Sequence, residues 1–332
     1  MNSRRYFIVG GAGFIGSHFT DRLLADASTE AVTLYDNFSS GREWHYAQHI
    51  PDTRFRVVRG DVKDCGALRE AMFGDGHGHD VVIHLASNPD IARAAIEPDI
   101  DFREGTFLTQ QVVEAMRVTG TPRLLYASGS GVYGDLGEIE AAENYAPMQP
   151  VSTYGASKLA GEALISSYCA MFGLTARVFR FGNVVGPRQT HGVGFDFVRR
   201  LLDDPSRLRI LGDGSQSKSY IHVFDVIKAV LLAHRNCPKP FEADFLVYNV
   251  ATGDYITVTE IAELAAEVAG LEPGSVRLEY TGGDRGWKGD VPVVRLNTDR
   301  IQSLGWRCQR TSRQALCASM QALLEDAKEG KL

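Results

Sequence analysis

The chain has 332 residues, 44% hydrophobic and 23% charged, with a formal net charge of −6. That is globular composition, with length for one large domain or for a large and a small one. The acidic balance excludes nucleic acid as the main partner, because a phosphate backbone is met by a basic field.

In chain order, Tyr6–Val9 reads as a buried strand and Ser17–Ala25 as a helix. Ala31–Tyr35 and Arg54–Val58 are the next strands. Ala67–Phe73 is helical, Val81–Leu85 is a strand, and Phe107–Val118 is an amphipathic helix. Arg123–Ala127 is a strand, Tyr154–Phe172 a long helix, and Thr175–Phe181 a strand. This alternation predicts an α/β fold: a Rossmann-type doubly wound parallel sheet with helices on both faces and right-handed crossovers. After Asn183 the texture changes. Gly186-Pro187 breaks the chain, Phe195–Leu202 is helical and Gly212-Asp213-Gly214 is a tight turn. Tyr220–Val223 and Val247–Val250 are expected to return to the main sheet. Thr259–Ala269 has a helix start and apolar periodicity. The predicted division is residues 1–182, with returning segments at about 218–250, against a smaller C-terminal α/β domain of 183–217 and 251–332. Gly282-Gly283 and Gly286 to Gly289 mark a long glycine-rich loop, which in a compact protein is expected to be functional.

Five dispersed cysteines (Cys65, Cys169, Cys237, Cys308, Cys317) lack the spacing of a zinc site or a disulfide framework and fit reduced thiols. No apolar run is long enough to span a bilayer and no signal peptide precedes the first strand, so a cytoplasmic protein without membrane contact is expected. His77 and His79 sit by Asp80, but Asp75-Gly76-His77-Gly78 reads as a flexible loop and no metal is expected there. His84 and His222 lie in buried strands and are expected to be core residues.

Gly10, Gly13 and Gly16 follow a strand and open a helix, the context a dinucleotide turn requires. Glycines there allow the tight turn, the approach of backbone to pyrophosphate, and close helix–strand packing. The helix N-terminus presents partial positive charge to the phosphates. Asp36 ends the second strand, where a carboxylate can accept the adenosine ribose hydroxyls. A 2′-phosphate beside it would be repelled by about 1–4 kcal/mol, which favours NAD over NADP. The competing role for Asp36 is to cap the turn Asp36-Asn37-Phe38-Ser39-Ser40-Gly41. Arg42 could serve a phosphate, so NADP stays open.

Tyr154 and Lys158 lie four apart on the long helix, and Glu162 extends that face. A phenol of ordinary pKa near ~10 must be favoured as phenolate by about 4 kcal/mol to act as a base near neutrality. An ammonium one turn away supplies much of this. The third member, a hydroxyl at the end of the preceding strand, is offered by Ser128 and Ser130 in Ser128-Gly129-Ser130-Gly131-Val132-Tyr133-Gly134, or by water; Ser130 is preferred.

These segments resemble the extended short-chain dehydrogenase/reductase superfamily, in its nucleotide-sugar epimerase branch, and within it the UDP-glucose (UDP-galactose) 4-epimerases. The resemblance covers the whole chain. It rests on Gly10 to Gly16, Asp36 to Gly41, Gly60-Asp61-Val62, His84-Leu85-Ala86, Val132 to Asp135, Tyr154 to Lys158, Arg180 to Pro187 and Ser219 to Val223. It implies that Asp61 and Val62 flank the adenine and that Leu85 and Ala86, with Ser87, follow the pyrophosphate and ribose. Phe14, Ile15, Asn37, Ser39, Ser40, Gly41 and Phe181 complete the implied cofactor set. Tyr154 would be the acid/base, with Lys158 on the nicotinamide ribose. Asn183 and Arg285 would hold the substrate diphosphate, with Arg188, His191, Tyr220 and Asp290 beside substrate. Lys218 stands where many relatives carry arginine and loses the bidentate fork. Two departures stand out. Gly129 occupies the place of the family's catalytic Ser or Thr. Val294 occupies the place of a tyrosine that guards the sugar pocket, which implies room for an N-acetyl group, a carboxylate or a longer sugar.

The implied activity is NAD-dependent C4 epimerisation of a nucleotide-diphosphate sugar through a 4-keto intermediate, in a homodimer formed by the helices at Phe107–Val118 and Tyr154–Phe172. The rivals are a 4-ketoreductase, a decarboxylase, a 4,6-dehydratase (whose acidic pair before Val-Tyr-Gly is replaced here by Ser130-Gly131) and a non-enzymatic NAD-sensing regulator.

Overall fold

The computed structural model describes residues 4–74, 76–88, 90–236 and 244–331, and forms two compact units. Cys237 and Asp75, singled out above, lie outside the described residues. Unit 1 comprises Met1–Gly129, Ala156–Arg180 and Ile227–Tyr248; unit 2 comprises Ser130–Gly155, Phe181–Val226 and Asn249–Leu332. Relative to the sequence-based division, 130–155, 181–182, 218–226 and 249–250 fall in unit 2. A hydrogen-bond hub ties the first of these segments there: Tyr133 Oη donates to Asn249 Oδ1 at 2.8 Å, and Asn249 Nδ2 donates to Ala141 O and Asn297 O at 2.9 Å each.

Seven strands build the main sheet: β1 (Arg5–Val9), β2 (Ala31–Asp36), β3 (Phe55–Arg59), β4 (Val81–His84), β5 (Arg123–Gly129), β7 (Thr175–Phe181) and β12 (Phe245–Val250). The spatial order is β3-β2-β1-β4-β5-β7-β12, and the pairs β1–β2, β2–β3, β1–β4 and β4–β5 are parallel. The strand order reverses between β1 and β4, the crevice where such sheets bind ligands. Four helices, α1 (Phe14–Leu24), α2 (Cys65–Phe73), α3 (Phe107–Thr119) and α4 (Thr153–Phe172), follow strands in the expected alternation. The central strands β1 and β4 are almost wholly apolar and buried because both sheet faces are covered there. Phe7, Val9, Val82, Val112, Met116 and Ile165 all join one buried cluster. Before α3 the chain makes a π-helical turn, Phe102–Thr106, which the sequence reading did not anticipate. Ser157 of α4 packs so close that a Cβ on Gly105 would stand 2.0 Å from its Oγ.

In unit 2, the helices α5 (Val193–Asp203) and α7 (Val258–Val268) pack on β9 (Arg207–Ile210), which pairs with β14 (Arg277–Tyr280), and α9 (Ser312–Lys328) packs against both helices. Phe197, Leu208, Ile261, Leu316 and Met320 are in that core. Thr257 and Glu260 form a reciprocal capping box at the start of α7. One expectation is corrected. The segment expected at Tyr220–Val223 does not return to the main sheet. Strand β11 (Tyr220–His222) pairs in parallel with β8 (Asn183–Val185) in a separate two-stranded sheet, and Val223 opens helix α6 (Val223–Arg235). A three-residue apolar run specifies an extended backbone but not its partner. Strand β12 does join the sheet, beside β7. No helix among the described residues is long and apolar enough to cross a membrane.

Candidate active site

The glycine turn lies at the C-terminal end of β1. Gly10 has φ +79° and donates to Tyr35 O at 2.9 Å; a Cβ there would stand 2.7 Å from Ala86 N. The turn after β1 therefore touches the chain leaving β4, where Leu85 and Ala86 follow. A Cβ on Gly16 would stand 2.6 Å from both the Cα and the carbonyl oxygen of Gly11, so this glycine serves helix–turn packing. Gly13 differs. It caps α1 with extended backbone (φ −75°, ψ −179°), and the nearest atom to a Cβ there is Gly10 O at 3.4 Å. Neither steric room nor backbone angle demands glycine at that position.

Asp36 performs the turn-capping role weighed for it. Its Oδ2 accepts from Ala12 N at 2.9 Å and its Oδ1 from Phe38 N at 2.7 Å, which holds Phe38 at φ +61°. Each oxygen keeps a lone pair. Burial pushes its carboxyl pKa up; the two backbone donors and Arg59 oppose that. Arg59 stacks on the Phe38 ring at 4.0 Å, and Arg42 turns its Nη1 to Gly41 O at 3.2 Å. Asn37 Nδ2 reaches Asp61 Oδ2 at 3.5 Å, and its Oδ1 accepts from Ser39 N at 3.0 Å. Ser39 is exposed and Ser40 half-buried in the same turn, and Gly41 packs on Ala12. Val62 is buried beneath Asp61, whose carbonyl accepts from Tyr35 Oη at 3.0 Å. Phe14 is buried and Ile15 and Ser87 are half-buried. An accessible Gly13 at a helix N-terminus and a carboxylate beside the turn fit the pyrophosphate and ribose of NAD.

Helix α4 carries Tyr154 half-buried and Lys158 only 3% exposed. Lys158 Nζ donates to Ala127 O at 2.9 Å and lies 5.2 Å from the Tyr126 ring centroid. Burial lowers its pKa to about 8, while the Asp101 and Glu162 carboxylates hold it up. The same burial, with Lys158 beside it, drives His84 down to about 3, so that imidazole is neutral. Ser128 is 5% exposed and donates its Oγ to Glu162 Oε1 at 2.6 Å. Ser130 begins a 3-10 turn (Ser130–Tyr133) and lines a recess of unit 2 with Tyr133, Leu136, Val293 and Val294. A Cβ on Gly155 would stand 2.4 Å from Gly131 O, so the residues following Ser130 and Tyr154 touch through bare backbone. A Cβ on Gly129 would meet nothing within 4 Å.

The remaining substrate candidates are in unit 2. Lys218 Nζ donates to Asp290 Oδ1 at 2.5 Å. Arg285 donates to Asp290 O at 2.5 Å and to Asp135 Oδ2 at 2.6 Å, and Gly286 N donates to Asp290 Oδ2 at 3.1 Å. The glycine-rich loop is thus tied into a cluster of two cations and two carboxylates. Asp135 was not a candidate in the sequence, because only the fold brings it to Arg285. Tyr220 is 6% exposed; burial and the Asp290 charge push its hydroxyl pKa up. Asn183 is exposed, with Nδ2 3.3 Å from Ser219 O. Arg188 takes φ +64°, an uncommon conformation for a side-chain-bearing residue, and His191 is exposed just beyond it. Away from these positions, His79 spends its ring nitrogens on Met72 O at 2.6 Å and Thr33 Oγ1 at 3.0 Å. His84 and His222 are buried, at 0% and 2% exposure.

A sequence model described as the NAD dependent epimerase/dehydratase family matches residues 6–251. A putative UDP-glucose 4-epimerase of Methanocaldococcus jannaschii is 30% identical over 305 residues, covering 90% of this chain and 92% of the relative. A crystal structure of a UDP-galactose 4-epimerase superposes with TM-score 0.82 at 36% identity, covering 97% of this chain and 99% of that one. The dTDP-glucose 4,6-dehydratase of Streptomyces venezuelae, solved with NAD and TYD bound, superposes with TM-score 0.87 at 27% identity, covering 98% of each chain. With its glycine turn, its carboxylate at the end of β2 and its Tyr/Lys helix, the chain belongs to the NAD dependent epimerase/dehydratase family.

Proposed function

We propose that the protein interconverts the C4 epimers of a nucleotide-diphosphate sugar of the UDP-glucose/UDP-galactose type through a transient 4-keto sugar. The observation that carries the reading is the Tyr154/Lys158 pair on α4, with the lysine buried and fixed on Ala127 O. NAD, when bound, supplies hydride exchange at C4. Gly10, Gly13 and Gly16 would receive its pyrophosphate and Asp36 its adenosine ribose. Tyr154 takes the proton from O4 and returns it, and the Lys158 ammonium favours the phenolate. Ser130 is the hydroxyl that orients O4, because Ser128 is engaged by Glu162. Lys218 and Arg285, with Asn183, hold the diphosphate, and they exchange carboxylate partners for phosphate oxygens as it binds. The sugar then turns about that fixed diphosphate so that both faces of C4 are used in succession. Among the described residues, the lining of the recess that contains Ser130 and Val294 holds no carboxylate, which favours epimerisation over a dehydration needing an acid at that wall.

The reading includes a homodimer and a cytoplasmic location. Val118 of α3 and Met171 and Phe172 of α4 are exposed apolar residues of the two helices expected at the dimer interface; sedimentation of the purified protein measures that state. The activity is tested by incubating the protein with UDP-glucose, UDP-galactose and their N-acetyl and uronic acid counterparts, without added NAD(P)H, and following epimer ratios. Tyr154→Phe retains NAD and loses most turnover. Full activity in that variant refutes the assignment.

A further inference from the structure

Helix α4 holds a third residue in register with the pair, and its environment is unusual for a carboxylate. Glu162 is 4% exposed. Its Oε1 accepts from Ser128 Oγ at 2.6 Å and from Arg180 Nε at 3.0 Å, and its Oε2 accepts from Arg180 Nη2 at 2.6 Å. Arg180, near the end of β7, is 2% exposed. A buried ion pair of this kind seldom raises stability over a well-packed apolar pair, because desolvation offsets the attraction; its best-attested use is to fix register. Here the register is that of α4 against the end of β5. Lys158 grips Ala127 and Glu162 grips Ser128, so two successive strand residues are pinned from two successive helical turns.

We infer that Glu162, Arg180 and Ser128 form a buried clamp of positioning residues, which sets the helix carrying Tyr154 and Lys158 against the strand end that leads to Ser130. The inference rests on the catalytic reading given above. The clamp also shapes the charge around Lys158. That ammonium faces the Asp101 carboxylate from the segment before α3, Glu162 from its own helix, neutral His84 from β4, and the Tyr126 ring and Ala127 carbonyl from β5. Asp101 is itself 1% exposed and accepts from Asn88 Nδ2 at 2.9 Å. Arg180 balances Glu162, so removing either partner leaves an uncompensated charge near the Lys158 site.

The test compares Glu162→Gln, Arg180→Met and the apolar double variant Glu162→Met/Arg180→Met. Measured for each are NAD-saturated kcat, KM, the pH profile of kcat, the melting temperature, and the ionisation of Tyr154 in the NAD-free protein, read as phenolate absorbance against the same background carrying Tyr154→Phe. The expected result is a kcat loss of about 10–100-fold in the folded variants with KM within about 3-fold, since misplacement of about 1 Å costs that much. The acid limb of the profile and the Tyr154 ionisation move to lower pH in Glu162→Gln, where a negative charge is lost, and to higher pH in Arg180→Met, where one is exposed. Should a single variant fail to fold, the double variant decides the matter. If it melts like wild type and keeps wild-type kcat, pH limb and Tyr154 ionisation, the pair is structural only and the inference is overturned. If it melts like wild type with reduced kcat and KM within about 3-fold, the inference stands, and its limb lies between those of the two single variants because both charges are lost together. Wild-type turnover lost in Tyr154→Phe but untouched in the clamp variants sinks the clamp alone. No turnover by wild type sinks the catalytic reading.

Discussion

The three glycines of the turn make different demands, and Gly13→Ala separates them. At Gly13 a methyl group meets only Gly10 O, at an ordinary 3.4 Å, and the backbone is extended. Alanine is a poorer N-cap than glycine by roughly 0.5–1 kcal/mol. It recovers about 0.4–1 kcal/mol by restricting the unfolded chain. The net effect on stability is close to zero, which places the melting temperature within about 4 °C of wild type. The bound dinucleotide has no such tolerance. A methyl group in a close backbone–pyrophosphate contact acts as overpacking, about 1–3 kcal/mol, which is roughly 5–150-fold in Kd. Gly16→Ala is the opposite case. Its Cβ would lie 2.6 Å from two backbone atoms of Gly11, neither of which can rotate away, so it costs about 3 kcal/mol of fold stability. Titration calorimetry with NAD on cofactor-stripped protein, with melting curves of both variants, reads the two effects independently. A Gly13→Ala protein that folds and binds NAD with wild-type affinity would falsify the placement of the pyrophosphate at this turn.

Three further outcomes are expected. Gly129→Ser folds with unchanged melting temperature, because the new side chain enters open space; Ser130→Ala lowers kcat by about 10–1000-fold, and a fully active Ser130→Ala would return the hydroxyl role to water. Lys158 titrates at about 8 in the folded chain, below its unfolded value, so the unfolded state binds more protons between that pH and about 10.4. In NAD-free protein, the stability of wild type relative to Lys158→Met therefore rises with pH across this window, by up to about 3 kcal/mol; urea unfolding at pH 7.5 and about 10 would expose a flat or falling difference. Lys218→Ala raises KM for the nucleotide sugar by about 10-fold or more while leaving NAD affinity unchanged, and an unaltered KM removes Lys218 from the diphosphate contacts.

Local patterns carried much of the fold. The strand at Tyr6, the glycine turn and the helix after it were legible because apolar period and turn chemistry agree there. Partners were not legible where the signal was short. The run at Tyr220 reads as a strand, yet its pairing with Asn183–Val185 is set by a neighbour 37 residues away in sequence, counting from Asn183 to Tyr220. The π-helical turn before α3 leaves no periodic mark, because five residues at the head of a helix look helical in any pattern. At the site, Tyr154 and Lys158 announce themselves through their spacing on one helix. Asp135 and Arg180 do not, since each acquires its partner, Arg285 or Glu162, only by tertiary folding. Ser128 and Ser130 both offered a hydroxyl in sequence, with Ser130 preferred; what separates them is that β5 ends at Gly129, so Ser128 joins the buried network while Ser130 opens a 3-10 turn.

The spacing within α4 also accounts for the division of labour along it. Residues four apart on a helix are displaced by about 40° around the axis, so Tyr154, Lys158 and Glu162 spiral across about 80° rather than forming one line. The exposures follow that spiral: Tyr154 is half-buried, whereas Lys158 and Glu162 are 3% and 4% exposed. A residue that must exchange a proton with a ligand has to remain reachable, and a residue that tunes its charge is most effective where water is excluded. Anchoring the two buried members to the same strand end leaves the helix little freedom to roll, and in the proposed mechanism rolling would swing the phenol away from O4. The glycines at 131 and 155 complete the constraint, since backbone against backbone there admits no intervening side chain. A bulky residue at Gly155 would therefore shift the first turn of α4 and separate Tyr154 from Ser130 before any direct contact with substrate was altered.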